Sequence, residues 1–435
     1  MKDRTHDVVV IGAGMAGLSA GRALAEAGLR VLVVEAQDRI GGRILTRHIG
    51  EEAIELGAEF IHGRPPELWA LIEEAGLETY ERKGKQLCFE DGVLSECSGE
   101  MDELFAPLEK LKKFKGPDLS FAEYIDRAKT PMEERSPIIG FVEGFNAADH
   151  REISAASLGA QQKAEDAIGS EHSFRLRGGY DQLPRYLSER ITELGSKVLT
   201  GTPVKEIQWE QGFAEIVTDL WNFNAPQVIV TLPLAVLLSG SVKITPEPHL
   251  ILEAAERLRM GQAHRFTLLF AEKFWDKLPP TPTVDEMSFL FAFSEMPPVW
   301  WTTHPEPSNT ITGWIGGPRS AALAGSDAKT LAGKACTVLA RIFGLRKDTV
   351  QKLLKGCYTH DWQQDRFALG AYSYVAAGGL NASKHMTEPV EETLFFAGEH
   401  TDVTGHWGTV HAAMRSGLRA AEQVLSSVSS AKQTW

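Results

Sequence analysis

Residues 7–17 (DVVVIGAGMAG) constrain the fold of this chain more than any other stretch. The apolar run at 8–11 predicts a buried strand, because it is too short for a helix. Gly12, Gly14 and Gly17 follow it in the G-x-G-x-x-G spacing that joins a strand to a helix. Gly12 permits a tight turn, Gly14 lets backbone amides approach a pyrophosphate, and Gly17 lets the helix pack closely. We therefore predict a helix N-terminus that binds an anion.

The residues that follow strengthen this interpretation. Apolar residues continue at helical spacing, Gly28 can end the helix, and RVLVVE at 30–35 predicts a second strand that ends in an acid. Glu35 is placed to accept hydrogen bonds from ribose hydroxyls. The alternative is a turn that only packs a helix, with a solvated glutamate. The glycine turn, the helix and the second strand with its terminal acid together favour a binding site for ADP-ribose. The residues predicted to form this site are Gly12, Ala13, Gly14, Ala16, Gly17, Glu35 and Ala36.

The stretch AQDRIGGR at 36–43 adds two glycines and an arginine, which predicts a second close approach to an anionic group. It resembles the EAxxRxGGR continuation of the flavin amine oxidase family. The resemblance implies that the dinucleotide is FAD and that Gly42 and Arg43 meet its phosphates. A surface ion pair is the alternative for Arg43.

The C-terminal stretch at 394–425 carries the second strong signal. An apolar strand precedes Glu399, a glycine-spaced loop and an amphipathic helix for which Thr409 is a candidate N-cap. A helix N-terminus aimed at the flavin stabilises negative charge there. The stretch resembles the FFAGExT…GxVxGAxxSGxRAA signature of flavin-dependent amine oxidases, which include monoamine oxidases, polyamine oxidases and flavin histone demethylases. By this resemblance Gly398, Glu399, Thr409 and Val410 lie beside FAD.

Two further segments resemble parts of that family which face the substrate. GAEFIHG at 57–63 resembles the GAxWIHG segment in front of the flavin, which implies site roles for Glu59, Phe60 and His62. We expect Glu59 to attract a cationic group. For His62 the alternative is a structural residue whose hydrogen bonds are made within the protein core. DWQQDRFALGAYSYV at 361–375 resembles WxxDxxxxGxYS. Tyr372 then flanks the substrate amine and Trp362 lies beside the flavin, with ordinary core aromatics as the alternative.

The chain departs from the family pattern in three places. Ala371 occupies the position of the cysteine that attaches FAD in mitochondrial monoamine oxidases, so we expect noncovalent FAD. Thr409 replaces the second aromatic of their substrate cage, as in polyamine oxidases and demethylases. Arg265 replaces the lysine that holds a water at flavin N5. Because arginine stays protonated and presents a planar fork, it would hold the same water or bind a substrate carboxylate, unless it only forms a structural salt bridge.

Sequence patterns typical of a dinucleotide-binding domain alternate along the chain with patterns typical of a substrate-binding domain. The 435 residues are long enough for two domains. We predict an α/β fold with a Rossmann-like FAD-binding domain and a discontinuous mixed α+β substrate domain. The apolar pattern at 66–175 is helical, with Leu104, Leu108 and Leu111 as one core stripe. Two short strands are expected at 197–209, where Val204 resembles the family's backbone contact to adenine. Aromatic residues at 280–345, among them Trp300, Trp301 and Trp314, suit a sheet that faces a ligand.

The predicted domain boundaries lie where these sequence patterns change. The FAD-binding domain takes residues 1–75, 176–242 and 360–435, and the substrate-binding domain takes residues 76–175 and 243–359.

Composition and the spacing of the cysteines limit the kinds of partner, and the cellular location, that we expect. The net charge of −13 argues against nonspecific nucleic-acid binding and weakly favours cationic small molecules. The four cysteines (Cys88, Cys97, Cys336 and Cys357) show neither a C-x-x-C pair nor metal spacing, so we expect reduced thiols, no metal and a cytoplasmic location. The N-terminus leaves no room for a signal peptide, and the apolar run at 228–238 is too short for a membrane anchor.

The sequence therefore predicts an FAD-dependent amine oxidase that uses oxygen and acts on a small amine. An FAD-dependent desaturase or dehydrogenase of the protoporphyrinogen or carotenoid oxidase type shares the N-terminal motifs and stays an alternative. A flavin-binding module without turnover is another. The sequence leaves open which amine is oxidised and whether the chain forms a homodimer.

Overall fold

The computed structural model describes residues 6–97, 107–278, 284 and 286–433. In that part of the chain the strands are β1 (Val8–Ile11), β2 (Val31–Val34), β3 (Thr46–Ile49), β4 (Glu52–Glu55), β5 (Ile61–His62), β6 (Thr79–Glu81), β7 (Lys85–Glu90), β8 (Val93–Glu96), β9 (Ser173–Leu176), β10 (Lys197–Leu199), β11 (Val204–Glu210), β12 (Phe213–Thr218), β13 (Asn222–Ala225), β14 (Gln227–Val230), β15 (Lys243–Thr245), β16 (Leu258–Met260), β17 (Ala263–Phe270), β18 (Met287–Phe291), β19 (Val299–Trp301), β20 (Thr310–Gly316), β21 (Leu354–Thr359), β22 (Ser373–Val375) and β23 (Leu394–Phe396).

The described helices are α1 (Met15–Glu26), α2 (Pro66–Glu74), α3 (Phe121–Arg127), α4 (Met132–Asn146), α5 (Ala155–Ile168), α6 (Gln182–Glu193), α7 (Leu234–Leu238), α8 (His249–Ala255), α9 (Ala328–Ile342), α10 (Lys347–Leu353), α11 (Ala382–His385) and α12 (Val410–Gln433). None of these combines the length and the apolar content that crossing a membrane requires.

A parallel sheet in the order β10-β2-β1-β14-β23 forms the first core. Every residue of β1, β2 and β14 is buried, as expected for parallel strands that are covered on both faces. The predicted succession of strand, glycine turn, helix and strand over residues 8–34 is confirmed. The carboxyl ends of β1 and β2 therefore open toward the same edge, where open α/β sheets bind ligands.

Helix α1 packs against the C-terminal helix α12 through small residues. A Cβ atom on Gly417 would lie 2.0 Å from the carbonyl oxygen of Ala16, and one on Gly17 would lie 1.9 Å from that of Gly12. Both glycines are needed because any side chain would strike backbone. The close contact fixes where the first turn of α1 points.

The second core lies under a seven-stranded mixed sheet in the order β21-β17-β20-β19-β18-β7-β8. Its two faces differ because side chains alternate along each strand. Trp300 and Phe266 pack in the core beneath the sheet, whereas Trp301 and Trp314 line a cavity on the other face. The expected aromatic wall therefore consists of Trp301 and Trp314, and Trp300 is a core residue.

The helical interpretation of residues 66–175 is incomplete, because β6, β7, β8 and β9 lie wholly or partly within it. Leu87 and Phe89 alternate with more polar neighbours and face the second core, while Asp91 and Gly92 form the turn of the hairpin. An Asp-Gly pair between alternating residues is a hairpin signal that the longer helical pattern obscured. Of the predicted stripe, Leu108 and Leu111 are core residues, and Leu104 lies outside the described residues.

The expectation of four reduced thiols is wrong. Cys88 in β7 and Cys97 just after β8 form a disulfide, because the hairpin brings them to a Cα–Cα distance of 5.1 Å. Cys336 and Cys357 are free. The spacing of nine residues in sequence gave no sign of the pair, since the hairpin itself was not predicted.

Candidate active site

One cavity of about 1170 Å³ runs from the edge of the parallel sheet to the aromatic face of the seven-stranded sheet. Gly14, Glu35 and Val204 line one end, and Phe289 and Trp301 line the other. This volume exceeds the usual range for small-molecule sites. The cavity therefore has room for an extended ligand and for a second, smaller molecule at the same time.

The turn after β1 leaves room for a ligand at the start of α1. Gly12 adopts a φ of 105°, which favours glycine, and a Cβ atom on Gly14 would meet nothing within 4 Å. No side chain caps the N-terminus of α1, so its first backbone amides have no such partner. This combination suits a phosphate group. Ala13 and Gly17 support the turn from behind and do not line the cavity.

Glu35 lies at the end of β2 and is 7% exposed. Its carboxylate accepts hydrogen bonds from the backbone amides of Ala13 (2.7 Å) and Gln37 (2.9 Å). Burial raises its pKa, and those amides oppose the rise. Because each carboxylate oxygen has a second lone pair, Glu35 can still accept hydrogen bonds from two hydroxyls.

Arg43 and Glu399 form an ion pair in the middle of the cavity. The Arg43 guanidinium donates to Glu399 at 2.8 Å and to the carbonyl of Ala371 at 3.0 Å. Glu399 also accepts hydrogen bonds from the Ser373 hydroxyl at 2.6 Å and the Gly408 amide at 3.0 Å. Burial opposes its ionisation, but Arg43 and Ser373 hold its pKa below the ordinary value. Glu399 thus ties three distant segments of chain together.

Helix α12 begins beside this ion pair. The Thr409 hydroxyl accepts a hydrogen bond from the Ala412 amide at 3.1 Å, which confirms the predicted N-cap. Gly408 approaches Tyr372 so closely that a Cβ atom there would lie 2.7 Å from the ring. Thr409 and Val410 line the cavity, and so does Gly398.

Tyr372 and Trp362 are both held in place by hydrogen bonds to backbone carbonyls. The Tyr372 hydroxyl donates to Phe145 at 2.6 Å, and the Trp362 indole donates to Leu56 at 2.8 Å. Burial and the nearby Glu399 raise the pKa of Tyr372, so its hydroxyl stays protonated. A Cβ atom on Gly57 would lie 2.0 Å from the carbonyl oxygen of Arg43 and 3.1 Å from the Trp362 ring, and the backbone clash makes the glycine necessary there.

Glu59 lies at the centre of a buried network of charges. It forms ion pairs with Arg265 at 2.5 Å and Arg175 at 2.7 Å, and it accepts a hydrogen bond from the Trp301 indole at 3.0 Å. Burial opposes its ionisation, but the two arginines outweigh this and lower its pKa. Its negative charge is already neutralised, so the structure does not support the expected attraction of a cationic substrate by Glu59.

Arg265 is held on both sides of its guanidinium. Besides Glu59, it donates to the carbonyl of Gly57 at 2.7 Å, and it lies 5.5 Å from the centre of the Trp301 ring. Its Nε atom is buried and has no hydrogen-bond partner among the described residues. Of the alternatives drawn from the sequence, the salt bridge is present, and the Nε–H donor remains unused within the described part of the chain.

Phe60 and His62 line the cavity beyond this network. Phe60 lies between the Arg175 guanidinium at 4.7 Å and the Phe289 ring at 6.0 Å. Burial, with a smaller contribution from Arg82, lowers the pKa of His62 to about 4. The imidazole is therefore neutral near pH 7.

Sequence reasoning missed Arg175 and Arg82. Arg175 lies within β9, whose four residues are all buried, and an arginine in such a strand requires a carboxylate partner. The apolar neighbours Phe174 and Leu176 were visible in the sequence, but the buried strand itself was not predicted. Arg82 gave no signal, because the serines that bind it, Ser173 and Ser288, are 91 and 206 residues away in sequence.

Among the described residues, Glu143, Asp149 and His150 bring possible metal-ligand atoms within 4.8 Å of one another. His150 is paired with Glu143 at 2.6 Å, and Asp149 with Arg151 at 2.6 Å. Their pairing with protein groups explains the cluster without a metal.

These residues fit FAD. The open helix N-terminus suits its phosphates, Glu35 suits its ribose, and the cavity that Trp362 and Tyr372 also line has room for a ring system. The individual roles of the predicted site residues stay predictions.

Comparison with known proteins agrees with this geometry. The chain matches the family model described as flavin containing amine oxidoreductase over residues 15–138 and 131–425. It is 30% identical over 450 residues to lysine-specific histone demethylase 1 homolog 2 of Oryza sativa subsp. japonica, covering 96% of this chain and 57% of that protein. It is 27% identical to polyamine oxidase 2 of Arabidopsis thaliana, covering 97% of this chain and 88% of the relative. The chain thus spans little more than half of the demethylase homologue.

Solved structures share the whole fold. A putrescine oxidase bound to putrescine superimposes with a TM-score of 0.82 at 23% identity, covering 97% of this chain and 99% of the other. Cyclohexylamine oxidase from Brevibacterium oxydans gives 0.83 at 21% identity, covering 98% and 99%. At such identities the likeness shows the fold alone. The family match, which extends from the first helix to the last, shows that this chain belongs to the flavin-containing amine oxidoreductases.

Proposed function

We propose that the protein oxidises a small amine to an imine, which then hydrolyses. FAD held by these residues would supply the hydride acceptor, and oxygen would restore it and yield hydrogen peroxide. The observation that supports this proposal best is the single cavity that joins the glycine turn at Gly14 to an aromatic chamber. We define the aromatic chamber by Phe60, Phe289, Trp301, Trp314 and Tyr372, all of which line the cavity.

The chamber favours the form of the amine that reacts. An amine loses hydride from its carbon only when its nitrogen is uncharged, and apolar walls disfavour the ammonium form. His62 adds no charge, because its pKa is lowered to about 4. The chamber residues thus exclude water and admit a neutral amine.

We assign Tyr372 the task of orienting the substrate. Its hydroxyl is fixed on the carbonyl of Phe145, so the ring cannot turn freely within the chamber. Contact between an amine and such a ring face stabilises the complex by about 0.5–2 kcal/mol when the amine arrives charged.

We assign Arg265 and Glu59 a positioning role. The ion pair fixes both side chains against the wall of the cavity near Gly57 and Trp362. The remaining Nε donor of Arg265 can hold a water molecule there, as the family's lysine does, although the arginine cannot give up its proton.

We propose that FAD is bound without a covalent link. Ala371 lines the cavity and carries no nucleophile. Acid precipitation of the purified protein is expected to leave all flavin in the supernatant. Flavin that stays with the pellet would contradict this.

The test of the function is anaerobic mixing of the purified holoenzyme with polyamines, aromatic monoamines and amino acids while the flavin absorbance is followed. We expect one class to bleach the flavin and air to restore it with one peroxide per turnover. Bleaching that air does not reverse would retain the amine reaction and reject oxygen as acceptor. Bound FAD that no amine reduces would reject the proposal in favour of a desaturase or a binding module without turnover.

The compartment stays a prediction. The Cys88–Cys97 disulfide counts against the expected cytoplasmic location, because disulfides persist mainly in oxidising compartments.

A further inference from the structure

Arg82 places an additional positive charge on the wall of the cavity, next to the aromatic chamber. The side chain follows β6, lines the cavity, and lies 4.6 Å from the centre of the Phe289 ring. Its Nε donates to the Ser173 hydroxyl at 2.8 Å and its Nη1 donates to the Ser288 hydroxyl at 3.0 Å. Both partners are neutral, and within the described part of the chain no carboxylate forms an ion pair with Arg82.

The neighbouring charges do not balance it. Glu59 is the one described carboxylate paired with Arg175 and Arg265, so these three groups already carry an excess positive charge. Arg82 adds a second excess positive charge. Burial and the nearby Arg175 lower its pKa, which shows that its charge is held against an electrostatic cost.

Other acidic side chains that line the cavity form no ion pair with Arg82 in the described part of the chain. Glu109 and Asp166 both pair with Lys112. Burial raises the pKa of Glu165 to about 7, and Glu171 is exposed to solvent. None of them neutralises Arg82.

We propose that Arg82 binds an anionic substituent of the substrate, so that the substrate is an amine that also carries a carboxylate. This rests on the proposed amine oxidation and names its substrate class. A guanidinium fixed through Nε and Nη1 still has the Nη2 donors, which suit a carboxylate oxygen. A carboxylate there lowers the excess of positive charge from two to one, whereas a diamine would bring a further cation beside three arginines.

The position of Arg82 sets the distance between the two substrate groups. From Trp362, the path of contacts runs through Gly57 to Arg265, then to Trp301, then to Phe289, and only then to Arg82. The anion therefore binds several side chains away from Trp362, where the sequence resemblance places the flavin. An ω-amino acid with an aliphatic spacer matches this separation better than an α-amino acid.

The first measurement compares three amines of matched chain on the holoenzyme: ε-aminocaproate, pentylamine and cadaverine. We expect anaerobic flavin reduction to be at least tenfold more efficient with ε-aminocaproate than with the others. Arg82→Met is expected to lose this preference and to keep its rate with pentylamine. Arg177→Met is the matched control, because Arg177 pairs with Glu306 and does not line the cavity.

The second measurement does not depend on turnover. Caproate, which has no amine to oxidise, is titrated into the oxidised holoenzyme while flavin absorbance and tryptophan fluorescence are followed. We expect saturable binding that weakens at least tenfold in Arg82→Met, recovers in part in Arg82→Lys, and is unchanged in Arg177→Met. Arg82→Gln replaces Arg82→Met if the latter does not fold.

The outcomes separate the two proposals. If no amine reduces the wild-type flavin but caproate binds through Arg82, the proposed function fails and the anion site stands. If pentylamine and cadaverine react as well as ε-aminocaproate and caproate binds equally to the Arg82 variants, the anion site is rejected and amine oxidation stands.

Discussion

At the scale of single residues, Glu59 shows how a predicted site residue can have a different task from the expected one. The sequence placed it near the substrate, and it does line the cavity. The structure does not favour the predicted attraction of a cation, because Arg175 and Arg265, which are 116 and 206 residues away along the chain, converge on Glu59. No local sequence pattern predicts such convergence, because it depends on how two sheets pack against each other.

Replacing Glu59 with glutamine is expected to destabilise the fold strongly. The amide keeps the shape but leaves two buried guanidinium groups without a counter-charge, which costs about 3–5 kcal/mol. Urea unfolding of the holoenzyme measures the loss. Glu193→Gln, which breaks an exposed pair with Arg190, serves as control and is expected to change little. Equal effects of the two changes would show that the buried network is not what holds this region.

At the scale of elements, the parts that the sequence predicted correctly are those whose signals are local. β1, α1 and β2 follow one another within 27 residues and carry their own turn glycines. The hairpin of β7 and β8 was missed because its short strands interrupt a long helical pattern. Its disulfide was missed with it.

The contact between α1 and α12 makes a prediction at this scale. Gly417→Ala forces its new Cβ against the backbone of Ala16, so we expect a loss of about 1–3 kcal/mol and weaker FAD binding as the start of α1 shifts. Gly333→Ala is the matched control. Gly333 lies within α9 with nothing within 4 Å, so alanine there is expected to stabilise by about 0.5–1 kcal/mol.

The pair of variants is compared by thermal unfolding and by titration of the apoprotein with FAD. The prediction fails if Gly417→Ala unfolds and binds FAD like the wild type.

At the scale of the whole molecule, buried histidines are expected to make the fold sensitive to acid. Burial lowers the pKa of His400 to about 4 and that of His411 to about 2. In the unfolded chain a histidine takes up its proton near pH 6.5. The unfolded state therefore binds more protons below that pH, and stability falls as the pH drops from about 6.5 toward 4.

The measurement is the free energy of unfolding at pH 7 and pH 5. His400→Gln is expected to lose about 2 kcal/mol less than the wild type between these two values. His385→Gln, a change at an exposed histidine, is expected to follow the wild type. An equally steep decline in His400→Gln would mean that other groups cause the acid sensitivity.

The pairing of the first helix with the last one has a consequence for biosynthesis. The glycine turn is synthesised long before β23 and α12, which complete the same core and are made from residues 394–433. A sheet that joins such distant segments completes slowly and late, after most of the chain has been exposed. The site proposed for the flavin therefore stays incomplete until residues 394–433 have been synthesised.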